Sequence, residues 1–195
     1  TVKPSGTLSK IMDTTEGVHK PLGKYIINNV VFSKFDLVVP KLRGSGYKVF
    51  DHPFDKESVL VALPVKWDTV EFDVVNGMEV NLESAIDQLE RYKMLMVNWC
   101  QQNVSATISY DVNEVPVIID WLLNNWDNYV GVSFLFRNDP TKTAADLGYP
   151  YLPQEVVTKE VFEKYVAGIV DFELDETTVS DTLDDDCATG MCPIR

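Results

Sequence analysis

A chain of 195 residues, 45% hydrophobic and 24% charged, has the size and composition of one globular domain with an adequate core. No apolar run approaches the roughly 18 residues that a membrane span needs, no signal peptide opens the chain, and a cytoplasmic protein is expected. The net charge of −13 comes without a basic stripe, which argues against binding to a nucleic-acid backbone and leaves a small phosphorylated ligand or another protein as partner.

Residues 1–23 are punctuated by Pro4, Gly6, Gly17, Pro21 and Gly23 and read as loop. Tyr25 to Phe35 is apolar and β-branched, so periodicity does not separate helix from strand there. Turns are expected at Gly44-Ser45-Gly46 and near Asp51-His52-Pro53, and Val59 to Val65 reads as a short buried strand ended by Pro64. A long helix follows Asn81 as N-cap and runs to about Gln102, with Leu82, Ala85, Ile86, Leu89, Tyr92, Met96 and Val97 on its apolar face. Val104 to Tyr110 alternates as a strand. A second helix capped near Asn113 carries Pro116 in its first turn and Val117, Ile118, Trp121, Leu122 and Trp126 on one face. Tyr129 to Phe136 reads as another buried strand, residues 138–153 as loop, and Thr158 to Tyr165 as a last helix with a weak capping box. Alternating strands and helices imply an α/β architecture, with a mostly parallel sheet or a barrel.

Beyond Gly168 the composition changes. Residues 171–186 hold eight acids and no base, so a flexible acidic tail is expected over 169–195, after a folded portion over 1–168. The tail ends in Cys187-Ala-Thr-Gly-Met-Cys192-Pro-Ile-Arg195. Two thiols five positions apart around a glycine can close a small disulfide ring and exchange it with another dithiol. The same spacing also suits two unremarkable cysteines or half of a metal site. Zinc takes four ligands, and only Cys100, His19 and His52 accompany the pair, so no metal is expected. Cys100 reads as a core residue, and His19 and His52, with no partner evident in sequence, read as structural or surface residues.

At the other end, Lys3-Pro4-Ser5-Gly6-Thr7-Leu8-Ser9 gathers three hydroxyls and a glycine. Backbone N–H groups turned to one point, with hydroxyls beside them, suit an anion such as phosphate; an ordinary polar turn has the same composition.

Four stretches, in this order, resemble the C-terminal part of an adenosylcobalamin-dependent (class II) ribonucleotide reductase of the monomeric, ribonucleoside-triphosphate type. They are Thr1-Val-Lys-Pro-Ser-Gly-Thr-Leu-Ser9, Asn98-Trp-Cys-Gln-Gln-Asn-Val-Ser-Ala-Thr-Ile-Ser-Tyr110, Gly131-Val-Ser-Phe-Leu135 and Cys187-x4-Cys192-Pro-Ile-Arg195. Tyr149-Pro-Tyr-Leu-Pro-Gln154 followed by Thr158-Lys-Glu160 is a looser match. The resemblance implies the closing segments of a ten-stranded α/β barrel. It implies that Ser5, Gly6, Thr7, Leu8 and Ser9 bind the substrate phosphates. It also implies that Cys187 and Cys192 re-reduce an active-site disulfide and are themselves reduced by thioredoxin or a similar protein. The family's Asn-x-Cys-x-Glu finger loop is absent, since Cys100 sits in Asn98-Trp-Cys-Gln-Gln. The radical cysteine, its carboxylate partner and most of the adenosylcobalamin site are therefore expected in an N-terminal remainder, and this chain alone is expected not to reduce a nucleotide. With Thr1 in place of a starting methionine, a fragment, a split-gene half or an intein-flanked piece is the expectation. The competing reading is a non-catalytic α/β module whose acidic tail binds a protein partner.

Overall fold

The computed structural model describes residues 1–173 apart from Thr7 and Asp13. The expectations for the acidic tail and its cysteines fall outside the described residues. In chain order the elements are α1 (Leu8–Ile11), β1 (Tyr25–Ser33), α2 (Val38–Gly44), β2 (Val49–Asp51), β3 (Ser58–Lys66), β4 (Asp73–Val75), β5 (Met78–Val80), α3 (Ala85–Asn98), β6 (Thr107–Tyr110), α4 (Val115–Asn124), β7 (Ser133–Phe136), β8 (Gln154–Val156) and α5 (Lys159–Val166). They form two compact units: Thr1–Tyr25 with Val65–Lys142, and Ile26–Pro64 with the residues from Thr143 onward.

In the first unit, α3 buries Ala85, Leu89 and Tyr92 at the four- and three-residue steps of one helical stripe. That stripe packs on Val104 and Ile108 of the β6 segment and on Ile118 and Trp121 of α4, with Cys100 closing the cluster. Leu82 and Val97, assigned to the apolar face by periodicity, are exposed. The N-cap is Ser84, whose hydroxyl accepts the Asp87 N–H at 3.1 Å. Asn81 instead donates its side-chain amide to Lys20 O. Ahead of α4, Asp111 and Glu114 form a capping box around one 3₁₀ turn, with Asp111 as the cap two residues before Asn113. Glu114 also accepts the Ala85 N–H at 2.7 Å, so one carboxylate ties the starts of both helices together. Arg137 locks this corner, donating to Glu83 O at 2.5 Å and Ser109 O at 3.0 Å.

Only the β6–β7 ladder is parallel among those whose register is defined; β4–β5, β2–β3 and β1–β8 are antiparallel. The expectation of a mostly parallel sheet is corrected accordingly. β4 and β5 turn at Asn76-Gly77, both at positive φ, as a two-residue hairpin requires. All four residues of β7 are exposed, against the expectation of a buried strand. Its aromatic residues meet Tyr110 edge to face, at 6.2 Å for Phe134 and 5.9 Å for Phe136, but a strand is buried only when both faces are covered.

The second unit carries a four-stranded sheet in the order β2-β3-β1-β8. β3 buries Val59, Leu60, Val61 and Ala62 in succession, the mark of a strand covered on both faces. Pro64 lies inside β3 and does not end it: the ladder to β2 stops at Val61, so the missing N–H costs that ladder nothing. α2 starts where the Asp36 carboxylate accepts the Val38 N–H at 2.8 Å, and Pro40 falls in its first turn. Thr158 caps α5, as its capping signal predicts. The Tyr165 hydroxyl donates to Ala62 O at 2.7 Å and accepts the Lys48 N–H at 2.9 Å, pinning α5 to the sheet. Burial pushes this phenol above its ordinary acidity range.

Candidate functional site

The N-terminal residues act as a short strand. Val2 bridges Val104 in parallel, its N–H donating to Asn103 O at 3.3 Å and its carbonyl accepting the Ser105 N–H at 2.8 Å. Thr1 donates its hydroxyl to Gln102 Oε1. From Val104 the chain enters β6, which pairs in parallel with β7. Asn103 joins the rows through its side chain, donating to Gly131 O and accepting from the Tyr92 hydroxyl, which in turn accepts the Val130 N–H. Three stretches far apart in sequence (1–9, 98–110 and 131–135) therefore lie side by side. The loop that leaves Val2 emerges at the carboxyl end of its strand, where α/β proteins carry their sites.

Within that loop Ser5 and Gly6 are exposed and Leu8 is 63% exposed, whereas Ser9 is buried. The Ser9 hydroxyl donates to Ser5 O, and Lys10 Nζ donates to Gly6 O at 2.5 Å. C=O and N–H of one peptide point in opposite directions. With Ser5 O held by Ser9, the Gly6 N–H faces away from α1, and apart from its chain neighbours nothing described lies within 4 Å of where a Gly6 Cβ would stand. A backbone donor beside an open space can meet an anion. Of the five residues assigned to phosphate, Ser5, Gly6 and Leu8 line the outer side, Ser9 braces the loop from within, and Thr7 lies outside the described residues.

The loop rests on a tight hairpin at Glu16–His19. Gly17 has φ +59, and a Cβ there would stand 3.1 Å from Lys3 O and 3.2 Å from Pro4 Cα. Gly17→Ala therefore combines left-handed strain with a push on the loop's first residues. The expected cost is about 2 kcal/mol, read in thermal unfolding as a fall in Tm of roughly 4–8 °C. An unchanged Tm would mean that the loop does not rest on this turn. Sequence reasoning passed over Gly17 as punctuation and did not single out Lys10 or Glu16; the position of Lys10 directly after Ser9 was the only available signal.

The remaining candidates are structural where they are described. Cys100 is buried in the core. His19 accepts the Thr107 N–H on Nε2 at 2.9 Å, which leaves Nδ1–H to donate to Glu16 O. His52 accepts the Asp55 N–H on Nδ1 at 3.0 Å and faces the Tyr151 hydroxyl with Nε2. No group of three metal-ligating side chains occurs among the described residues. Cys187 and Cys192 lie outside them.

Comparison with known proteins bears directly on the side-by-side stretches. No family model matches. The adenosylcobalamin-dependent ribonucleoside-triphosphate reductase of Levilactobacillus brevis is 29% identical over 201 residues, taking in all of this chain and 26% of that protein. A probable reductase of the same description from Dictyostelium discoideum is 28% identical over 200 residues, covering 99% of the chain and 25% of its own length. A crystal structure of a B12-dependent (class II) ribonucleotide reductase superposes with a TM-score of 0.72 at 25% identity, over 94% of the chain and 24% of the other. The chain is similar, end to end, to one segment of class II ribonucleotide reductases. It spans about a quarter of the length of the reductases it matches. The mixed helix and strand content found here is therefore that of the corresponding reductase segment. No helix among the described residues is long and apolar enough to cross a membrane.

Proposed function

We propose that this chain is the C-terminal part of an adenosylcobalamin-dependent ribonucleoside-triphosphate reductase, which makes deoxyribonucleotides by radical chemistry. The observation that carries the reading is the match of the whole chain to one quarter of such reductases. The parallel seating of the 1–9, 98–110 and 131–135 stretches supports it. In this reading residues 1–168 are a portion of the catalytic barrel and residues 169–195 are the tail. Ser5, Gly6, Thr7, Leu8 and Ser9 hold the phosphates of a ribonucleoside triphosphate, with backbone N–H groups and hydroxyls as donors. Cys187 and Cys192 relay electrons. One thiolate attacks the active-site disulfide, the second thiol resolves the mixed disulfide, and two electrons and two protons pass inward as the tail closes its own disulfide. Thioredoxin or a similar dithiol protein then reopens it.

In this reading the cofactor supplies the radical. Among the cavities of the described residues, one of about 520 Å³ lies beside Thr15, His19 and Arg91 and another of about 450 Å³ beside Lys48, Lys164 and Tyr165. Both are in the range that takes a drug-sized ligand. In this reading most of the adenosylcobalamin site belongs to the N-terminal remainder.

The direct test is reconstitution. Co-expression with a polypeptide supplying the remaining three-quarters of the enzyme should yield adenosylcobalamin-dependent reduction of ribonucleoside triphosphates, with neither piece active alone. Reduction by this chain without a partner would overturn the assignment, as would inactivity of a correctly assembled pair.

A further inference from the structure

Lys10 is bound on two sides. Its ammonium donates to Gly6 O at 2.5 Å and pairs with the Glu16 carboxylate. The Lys10 side chain is only 13% exposed, that of Glu16 30%. Glu16 is itself held in place. Its carbonyl accepts the His19 N–H at 3.1 Å and His19 Nδ1 at 2.9 Å, and His19 Nε2 accepts the N–H of Thr107 at the start of β6. A cation is thus clamped under the anion-facing loop by a carboxylate that is anchored to the strand system. An ammonium is a compact point charge on a flexible stem, and it can exchange one anionic partner for another without changing its own charge.

Taking the 3–9 segment as the phosphate loop, we propose that Lys10 is the counter-charge for the nucleotide's phosphates, with Glu16 as its resting counter-ion. Without nucleotide, Glu16 neutralises Lys10 and keeps the loop carbonyl of Gly6 engaged. When a triphosphate enters on the outer side beside Gly6, the Lys10 charge acts on its phosphates across the loop from the α1 side. Lys10 is then a binding residue, and Glu16 sets how much of its charge the substrate meets.

Removal of the two partners should move binding in opposite directions, which a purely structural ion pair would not do. In the reconstituted reductase with CTP as the probe, Lys10→Met should raise KM about tenfold while kcat stays within about twofold. Lys10→Arg should restore KM to within about threefold of wild type. Glu16→Gln should lower KM about threefold, because the cation loses its competing carboxylate. A shift of Lys10→Met and Glu16→Gln in the same direction, or no shift for Lys10→Met, overturns the proposal. Should Lys10→Met fail to fold, as judged by thermal unfolding, the Lys10→Arg and Glu16→Gln arms still decide it. Ser5→Ala and Gly17→Ala separate this from the loop reading. If both leave KM unchanged, the loop does not bind phosphate. If they raise it while the Lys10 and Glu16 variants fail to diverge, only the role of Lys10 is lost.

Discussion

Serine at either Cys187 or Cys192 should abolish turnover of the assembled reductase with thioredoxin, by more than about 100-fold, while turnover with dithiothreitol stays within about twofold of wild type. The asymmetry follows from the chemistry of exchange. A disulfide is reduced only when an attacking thiolate forms a mixed disulfide and a second thiol resolves it. Either single serine leaves the tail able to start or to finish that sequence but not both. In the proposed relay a protein reductant does not enter the active site and depends on the carrier, whereas a small dithiol reaches the disulfide unaided. Steady-state deoxynucleotide formation with each reductant in turn is the measurement. Equal losses with both reductants would remove the relay role from the pair and leave it structural.

Gly46→Ala should be more damaging than alanine at Gly6, Gly17, Gly44, Gly77, Gly131, Gly148 or Gly168. Gly46 has φ +92, and a Cβ there would stand 2.2 Å from the carbonyl oxygen of Gly168, a backbone atom that cannot swing aside. The neighbouring Ser45 carbonyl accepts the Val170 N–H at 2.9 Å, so the chain after α5 is bonded to this turn and cannot retreat without loss. Strain at positive φ and a backbone clash together should cost about 3–4 kcal/mol, a large share of a typical domain's stability. Tm should fall by roughly 10 °C. Gly148→Ala in the same unit is the control. Gly148 has φ +75 with nothing within 4 Å of its missing Cβ, so only the strain of about 1 kcal/mol applies. Comparable shifts for the two variants would show that the Gly46–Gly168 contact contributes nothing.

How much of this could be read in advance differs from element to element. α3, α4 and α5 are legible because their apolar stripes recur at helical spacing and their caps are local. Thr158 caps α5 by accepting the N–H of Val161, only three residues on. The exact caps are less so: Ser84 caps α3 while Asn81 accepts the Glu83 N–H and donates to Lys20 O, and Asp111 accepts from Asn113 two residues on. The hairpin at Asn76-Gly77 is written in two residues that both accept positive φ. β2 and β8 have three residues each and no pattern of their own; they exist because β3 and β1 offer them edges. In the candidate site, Ser5 to Ser9 stand out by composition. Lys10, Glu16 and Gly17 do not, since a lysine, a glutamate and a glycine gain meaning only when a turn brings them under the loop.

By itself the sequence determined the mixed α/β character, the three longer helices, the loop with its hydroxyls and the resemblance that its four stretches carry. Each of these depends on residues close together or on motifs read one by one. Only the tertiary structure decided that the defined ladders are mainly antiparallel, that Val2 lies beside Val104 and that β7 stands exposed. It alone placed a clamped cation beneath Gly6. The physical reason is that strand pairing and ion pairing across long loops are chosen by which partners meet in space. Neither hydrophobic period nor local propensity records that choice.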